Sequence, residues 1–177
     1  MGSTHNYIPV RTTRRYREAQ TDEKFQGWLK MQSAAMEIVF PIQDVPELRD
    51  QMFTPDSLAL VESKLLETFS SEEEAFTGDV SLTMRYVYYV GETFRRHLEG
   101  EWCSILKKKP DGATVPGIDG PYSEGFINPA DLIGIALVRR TGNEISDVFG
   151  FQRRRYDQWV SDGRPERTFR GTLREDS

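Results

Sequence analysis

The stretch DVSLTMRYVYYVGETFRRHL, residues 79–98, decides the fold of this chain. Its apolar positions recur every three or four residues, the pattern of a helix with a buried face: Val80, Met84, Val87, Gly91, Phe94 and Leu98. Glycine inside a helix costs about 1 kcal/mol relative to alanine. A glycine on the buried face therefore predicts that another backbone or a bulky ring approaches Gly91 closely. Gly100 is placed to act as the C-cap.

Three helical segments are predicted before this helix, at 21–40, 45–52 and 54–69. Each segment starts near residues that cap helices well, namely Thr21 or Asp22, Asp44 and Thr54. Ser71 is a further cap, and three glutamates follow it. Pro41 is expected to end the first segment. The third buries a stripe of apolar side chains, Leu58, Val61, Leu65 and Phe69.

The second half of the chain predicts a small sheet and two more helices. Residues 101–106 read as a strand, 110–125 as a loop rich in glycine and proline, and 126–127 as a short returning strand. Asn128 and Pro129 open a helix that is apolar nearly all round, which predicts a central position. A last helix spans about 146–160. The fold class is α+β and mostly helical, with about five helices and an antiparallel hairpin of 101–106 and 115–128.

Length and composition predict one domain. The 177 residues are enough for a hydrophobic core, and we expect a flexible lead-in at 1–20, a single domain at 21–162 and a polar tail at 163–177. No apolar run reaches the roughly 18 residues that span a bilayer. The N-terminus lacks the features of a secretory signal and Cys103 is the single cysteine, which together favour the cytoplasm.

Charge is distributed unevenly along the chain. The net charge is −5, but residues 21–150 carry 12 basic and 22 acidic side chains, while 1–20 and 151–177 are both net positive. Arginine-rich ends can bind nucleic acid, or they can fold back on an acidic body or stay solvated. Because no groove of aromatic and basic residues or recognition helix accompanies these arginines, nucleic acid is the weaker alternative.

The sequence contains no pattern that indicates a metal site, a phosphate-binding loop or a catalytic cysteine. His5 and His97 are far apart and Cys103 is alone, so no zinc spacing exists, and we expect no metal and no cofactor. The glycines of 112–125 lack the lysine and hydroxyl ending of a phosphate-binding loop. His97 could serve as a base for Cys103, but a cysteine in an apolar strand is more often a core residue. No catalytic residue is assigned.

One polar cluster is a candidate site for a ligand or a partner. Tyr88, Glu92, Arg95 and Arg96 follow one another at helical spacing along the edge of the buried face. Arginine suits bidentate recognition of carboxylates, so the cluster can hold a charged group. The alternative is an ion pair within one helix that serves stability alone. Trp102, in the following strand, is a further candidate contact, and its alternative is a core role.

These residues also carry a resemblance. Gly91-Glu92-Thr93-Phe94-Arg95, then Trp102, then Asn128-Pro129 resemble a pattern of uncharacterised bacterial domains, in which a GE-x-x-R helix leads to a strand tryptophan and an NP helix start. The similarity covers about residues 85–140 and implies no particular activity. Some similar small acidic proteins resemble toxin-neutralising or other accessory proteins of bacteria.

These observations favour a non-catalytic bacterial binding or accessory protein, for example of the immunity type, whose acidic body suits a basic protein partner. The alternative is a small-ligand binder or enzyme that uses Glu92, Arg95 and Tyr88 under the 110–125 loop as a lid. Nucleic-acid binding by the arginine-rich termini is the third hypothesis. The sequence contains no indication of oligomeric state.

Overall fold

The computed structural model of the chain describes residues 8–107 and 112–168. Within them lie seven α-helices: α1 Arg14–Gln20, α2 Glu23–Ile38, α3 Ser57–Thr68, α4 Glu72–Thr77, α5 Val80–His97, α6 Pro129–Arg139 and α7 Glu144–Ser161. Three strands form one antiparallel sheet in the order β1 Glu101–Leu106, β2 Thr114–Asp119 and β3 Phe126–Ile127. The mostly helical α+β class is confirmed, with more helices than the five expected. Parts of the predicted lead-in, loop and tail, at 1–7, 108–111 and 169–177, lie outside the described residues.

α5 is the centre of the fold. Asp79 caps its start by accepting a hydrogen bond from the backbone N–H of Leu82, and α2, α3, α4, α6, α7 and the sheet all contact it. The predicted buried face is confirmed at Val87, Gly91 and Phe94, and burial extends round the whole middle of the helix, since every residue from Tyr86 to Phe94 is buried. At the solvent end of α5, Val80 is exposed despite its place in the apolar pattern.

The close approach predicted at Gly91 is confirmed. A Cβ added there would lie 2.8 Å from Cζ2 of Trp102 and 2.9 Å from Cγ of Pro129. The indole of β1 and the first residue of α6 therefore both rest against the bare backbone of α5. The absence of a side chain at Gly91 lets three elements meet at one point.

The end of α5 differs from the expectation. Glu99, with φ 51°, occupies the left-handed position after the helix, and the N–H of Gly100 bonds to the carbonyl of Arg95. Gly100 instead makes room for the sheet, since a Cβ there would lie 2.5 Å from Cγ2 of Ile118. The prediction of Gly100 as the left-handed C-cap is therefore wrong by one residue.

The predicted antiparallel hairpin of 101–106 with 115–128 is confirmed by β1 and β2, whereas the loop predicted at 110–125 is wrong for residues 114–119, which form β2. This strand pairs with all of β1, with Trp102 opposite Ile118 and Ser104 opposite Pro116. β3 is confirmed as the returning strand, but it pairs only with Ile118 and Asp119, so Pro116 lies beyond the end of that ladder. Proline and glycine therefore occur within the strand where the sequence pattern indicates turns.

Residues 14–20 of the predicted lead-in form a helix, α1. Thr13 caps this helix by accepting a hydrogen bond from the N–H of Tyr16. The amide of Gln20 donates to the carbonyl of Ser104 at 3.0 Å and accepts from its N–H at 2.8 Å. α1 thus satisfies backbone groups on the open edge of β1, which would otherwise be available for pairing with another chain.

The remaining helices follow the predicted caps with small shifts. Asp22, Ser71 and Asn128 cap α2, α4 and α6 as expected. The chain passes Pro41 in a π turn at Phe40–Asp44, followed by a 3₁₀ turn at Pro46–Leu48 in place of the helix expected at 45–52, and α3 starts at Ser57 rather than at Pro55.

α6 is not the central helix that its composition predicts, because part of its apolar surface faces outward. Ile135 and Val138 are 42% and 67% exposed. α7 packs beside it and has no capping side chain of its own; the buried Glu62 of α3 accepts the N–H groups of Glu144 and Ile145 at 3.0 and 2.8 Å. A carboxylate from another helix thus supplies the charge that favours a helix N-terminus. No described helix has the length and apolarity needed to cross a membrane.

Candidate functional site

The structure brings all five candidate residues together around the carboxylate of Glu92. Arg95 donates from Nε to Oε2 and from Nη2 to Oε1, both at 2.8 Å, in a bidentate pair. Arg96 donates from Nε to Oε1 at 2.8 Å, and Trp102 donates from Nε1 to Oε2 at 2.9 Å. The last bond joins α5 to β1, ten residues further along the chain.

The carboxylate of Glu92 has no free acceptor position. Each oxygen accepts two hydrogen bonds, which matches the roughly four acceptor positions of an ionised carboxylate. Burial alone would raise the pKa of Glu92, but the hydrogen bonds from Arg95, Arg96 and Trp102 outweigh burial and lower the pKa. The side chain is 5% exposed and ionised at neutral pH, so a ligand could reach this carboxylate only by displacing an existing partner.

Tyr88 and Trp102 form an aromatic stack beside this carboxylate. Their ring centroids are 5.1 Å apart with planes only 10° from parallel, and Trp28 of α2 meets both rings edge-on. Burial, aided by the charge of Glu92, raises the pKa of Tyr88, so its phenol stays protonated at neutral pH. The described contacts of Trp102 are thus the ring packing expected of a core residue and one hydrogen bond to Glu92.

A shallow depression of about 450 Å³ opens next to this stack. It is lined by Leu29, Lys30, Ser33, Ala34, Glu37, Tyr88 and Trp102, which belong to α2, α5 and β1. Neither Glu92 nor the described part of 110–125 lines it. In the described part of 110–125, the residues expected to act as a lid form the strand β2 and the turn after it. Ligand binding by this cluster stays a prediction, and these residues do not cover it as a lid.

Arg96 has a second role away from Glu92. Its guanidinium lies 4.1 Å from the ring centroid of Phe53, a residue held in the left-handed region at φ 59°. Tyr89 accepts the N–H of Phe53 at 2.8 Å and stacks on its ring, while Nε2 of His97 lies 2.9 Å from its carbonyl oxygen. Three side chains of α5 thus hold one turn of the preceding loop in a conformation that phenylalanine rarely adopts.

The chemistry of Cys103 agrees with a core position. The thiol is 3% exposed, and burial raises its pKa to about 12. His97 is engaged with Phe53, and the side chain that hydrogen-bonds to the thiol is Tyr16. Within the described ranges, no three His, Cys, Asp or Glu side chains are arranged to hold a metal ion.

The structure contains a second carboxylate–arginine cluster, around Asp119 at the end of β2, which the sequence analysis missed. Arg11 makes a bidentate pair with Asp119, both bonds at 2.9 Å, and Arg167 also pairs with Asp119. Arg11 further donates to the carbonyl of Glu124 at 2.7 Å and lies over the ring of Phe126. Arginines from both ends of the chain therefore meet at one acidic residue, in agreement with termini that fold back on the acidic body.

A third feature lies on the outside of the molecule, where α4 and α6 meet. A depression of about 320 Å³ is lined by Glu72, Asp131, Gly134, Ile135, Val138 and Arg139, and we call it the α4–α6 face. Asp131, Ile135 and Val138 lie on one side of α6 at helical spacing. Arg139 pairs with Glu144, whereas among the described residues Glu72 and Asp131 have no basic side-chain partner.

Comparisons of the chain with protein-family models, with curated proteins and with solved structures find no match.

Proposed function

We propose that this chain is a non-catalytic binding protein that docks a basic, amphipathic segment of another protein on the α4–α6 face. The observation that carries the proposal is the exposure of Val138, 67%, and of Ile135, 42%, beside two carboxylates without a basic partner. Contiguous exposed apolar side chains with a polar rim mark protein-binding surfaces, and Ile135 and Val138 are neighbours one turn apart on α6. The charge of residues 21–150, −10, extends this preference for a basic partner to the body of the protein.

The chemistry of the face defines the partner. An apolar side chain of the segment would cover Ile135 and Val138, and a lysine or arginine one turn away would reach Glu72 or Asp131. Gly134 has no side chain, which leaves room on the surface of α6 for Glu72. Oε1 of Glu72 lies only 2.6 Å from the position that a Cβ of residue 134 would occupy. A helix with apolar residues on one side and basic residues on the other fits this pattern. Toxin neutralisation in the bacterial cytoplasm is one form of such binding, and it rests on the sequence resemblance and the single cysteine.

The test uses two labelled synthetic helices of about 14 residues, four turns long. One carries leucines on one side and lysines on the other; the second has glutamates in place of the lysines. We expect the lysine peptide to bind at least about ten-fold more tightly than the glutamate peptide at low salt, with the difference shrinking at about 0.5 M salt. Equal binding of the two peptides would contradict the charge preference.

Variants then locate the binding. Val138→Ser and Asp131→Asn are expected to weaken binding of the lysine peptide, because they remove an apolar contact and a charge from the α4–α6 face. Phe151→Ser is the matched control, since Phe151 is 50% exposed on α7 and lies outside the lining of this face. Loss of binding in the control but not in Val138→Ser would place the site elsewhere.

A further inference from the structure

α2 carries a second apolar stripe that the rest of the described chain does not cover. Its buried side holds Phe25, Gln32 and Met36. On the other side, Gly27, Met31, Ala34 and Ile38 recur at spacings of four, three and four residues, and all four are exposed, Met31 to 60% and Ile38 to 62%. We call these four residues the α2 stripe. Such spacing is the pattern by which one helix packs along another.

The α2 stripe matches itself when a second copy is placed antiparallel to it. A two-fold axis between residues 32 and 33 sets each Ile38 over Gly27 of the other copy and each Met31 over Ala34. A large side chain thus meets a small one in every layer. Gly27 has open space around it, since a Cβ added there would have no neighbour within 4 Å. Ile38 of the other copy can occupy that space.

The charges beside the α2 stripe match under the same symmetry. Lys30 and Glu37 are exposed on the same edge of α2, seven residues apart. Their midpoint lies within one residue of the two-fold axis, so each Lys30 faces Glu37 of the other copy, and the pair forms twice. Residues at this position beside an apolar stripe set the orientation and the choice of partner in helix pairs.

We infer that the protein associates with a second copy of itself through the α2 stripes, as an antiparallel pair of α2 helices with reciprocal Lys30–Glu37 contacts. An interface of this kind uses the same surface on both copies, as in most two-fold symmetric dimers. Lys30, Ser33, Ala34 and Glu37 also line the depression beside Tyr88 and Trp102, so the second helix would lie along its rim. The α4–α6 face takes no part in this pairing, and the inference is independent of the proposed function.

Sedimentation of the full chain over about 5–200 µM tests the association, because a dimer equilibrium depends on concentration. We expect dimer to form in that range and Ala34→Glu to weaken it at least about ten-fold, since two added carboxylates, one from each copy, would be buried near the axis. A chain that stays monomeric over the whole range, or a dimer that survives Ala34→Glu unchanged, would overturn the inference.

Charge reversal tests the orientation. Lys30→Glu or Glu37→Lys alone places like charges opposite each other twice, and each is expected to weaken the dimer several-fold. An equimolar mixture of the two variants restores both attractive pairs and should form a mixed dimer. Circular dichroism of each variant checks that α2 remains folded. If the mixture associates no better than either variant alone, the antiparallel arrangement is wrong.

A cysteine pair provides a direct distance check. Met31→Cys and Ala34→Cys in the same chain would place two cysteine pairs across the interface, and the buried Cys103 is the sole native thiol. Covalent dimers are expected on mild oxidation, because opposite positions in packed helices can come within the roughly 5.5 Å Cα separation of a disulfide. Gln26→Cys with Glu23→Cys, at the N-terminal end of the helix, serves as the control that should cross-link poorly.

Discussion

Two clusters in this fold each hold one carboxylate between two guanidiniums, and they differ in how far apart their members lie in the sequence. Glu92 binds Arg95 and Arg96, three and four residues away on the same helix. Asp119 binds Arg11 and Arg167, which are 108 and 48 residues away. The first cluster was predicted from helical spacing alone, whereas the second has no local pattern. Spacing within one element reveals local partners only, however similar the resulting chemistry.

The two clusters also act on different parts of the molecule. The Glu92 cluster receives the indole N–H of Trp102 and so fastens α5 to β1 at the point where Gly91 lets the ring approach. The Asp119 cluster connects both ends of the described chain to the end of β2. Disrupting the first is therefore expected to destabilise the whole fold, and disrupting the second to release the ends while the core remains.

The largest expected effect comes from Trp102→Ala. The substitution removes the ring that packs on Gly91, Tyr88 and Trp28 and leaves Glu92 without one of its donors. We expect a loss of about 3 kcal/mol in the free energy of unfolding, measured by urea denaturation. Trp102→Phe, which keeps a ring but no N–H, should lose less. If both variants lose the same free energy of unfolding, the loss comes from the hydrogen bond alone, and packing of the ring on Gly91 contributes nothing.

Gly91→Ala is expected to destabilise by about 1–3 kcal/mol, because the added methyl overlaps the indole of Trp102. This is opposite in sign to the usual effect in a helix, where alanine is favoured over glycine. Gly150→Ala in α7 is the matched control: its Cβ would meet only Nη1 of Arg154, at 3.6 Å. That variant should be neutral or more stable. A stabilising Gly91→Ala would mean that α5 and β1 are not in close contact.

Glu92→Gln should cost about 1–2 kcal/mol at neutral pH, because bonds from two guanidiniums to a charged acceptor are lost. The folded-state pKa of Glu92 is lowered, so its contribution is fully present above the unfolded value of about 4.3 and is lost as the pH falls through the folded value. The difference between wild type and Glu92→Gln should therefore shrink in acid. A difference that stays constant from neutral pH into acid would show that the charge of Glu92 contributes nothing to stability.

The smallest effect on global stability, about 1 kcal/mol, is expected for Asp119→Asn, because the arginines that it holds, Arg11 and Arg167, lie near the ends of the described chain, and asparagine keeps one acceptor oxygen for them. Its signature is local: hydrogen exchange should become faster at Thr12, Thr13 and the first turn of α1 while the middle of α5 stays protected. Uniformly faster exchange would mean that the two clusters do not act on separate parts of the molecule.

Features whose whole signal lies within one element could be predicted from the sequence. Helix caps such as Asp22, Ser71 and Asn128 and the grouping of Tyr88 with Glu92 depend on residues a few positions apart, and the place of Gly91 in the apolar pattern indicated a close approach without identifying its partners. Features that depend on packing between distant elements could not be predicted. α5 is buried on all sides in its middle and α6 is not, although α6 is the more apolar helix, because the position of each follows from the elements around it rather than from its own composition.

The missed elements have the same explanation. β2 contains Pro116 and Gly117, which indicate turns locally, and it forms because β1 pairs with it along its length. α1 depends on the bonds of Gln20 to the edge of β1, and the N-terminus of α7 depends on Glu62 of α3. For α1 and α7 the partner lies more than 80 residues away, so no window of the sequence contains both.

The Glu92 cluster connects α5 to β1 within the fold, and we propose that binding takes place on the α4–α6 face. A parallel titration of the lysine peptide against Glu92→Gln and Val138→Ser, at a temperature where both are folded, tests it most directly. We expect the affinity of Glu92→Gln for the lysine peptide to lie within about two-fold of wild type, and that of Val138→Ser to fall at least about ten-fold. The reverse result, weak binding by Glu92→Gln and normal binding by Val138→Ser, would contradict it.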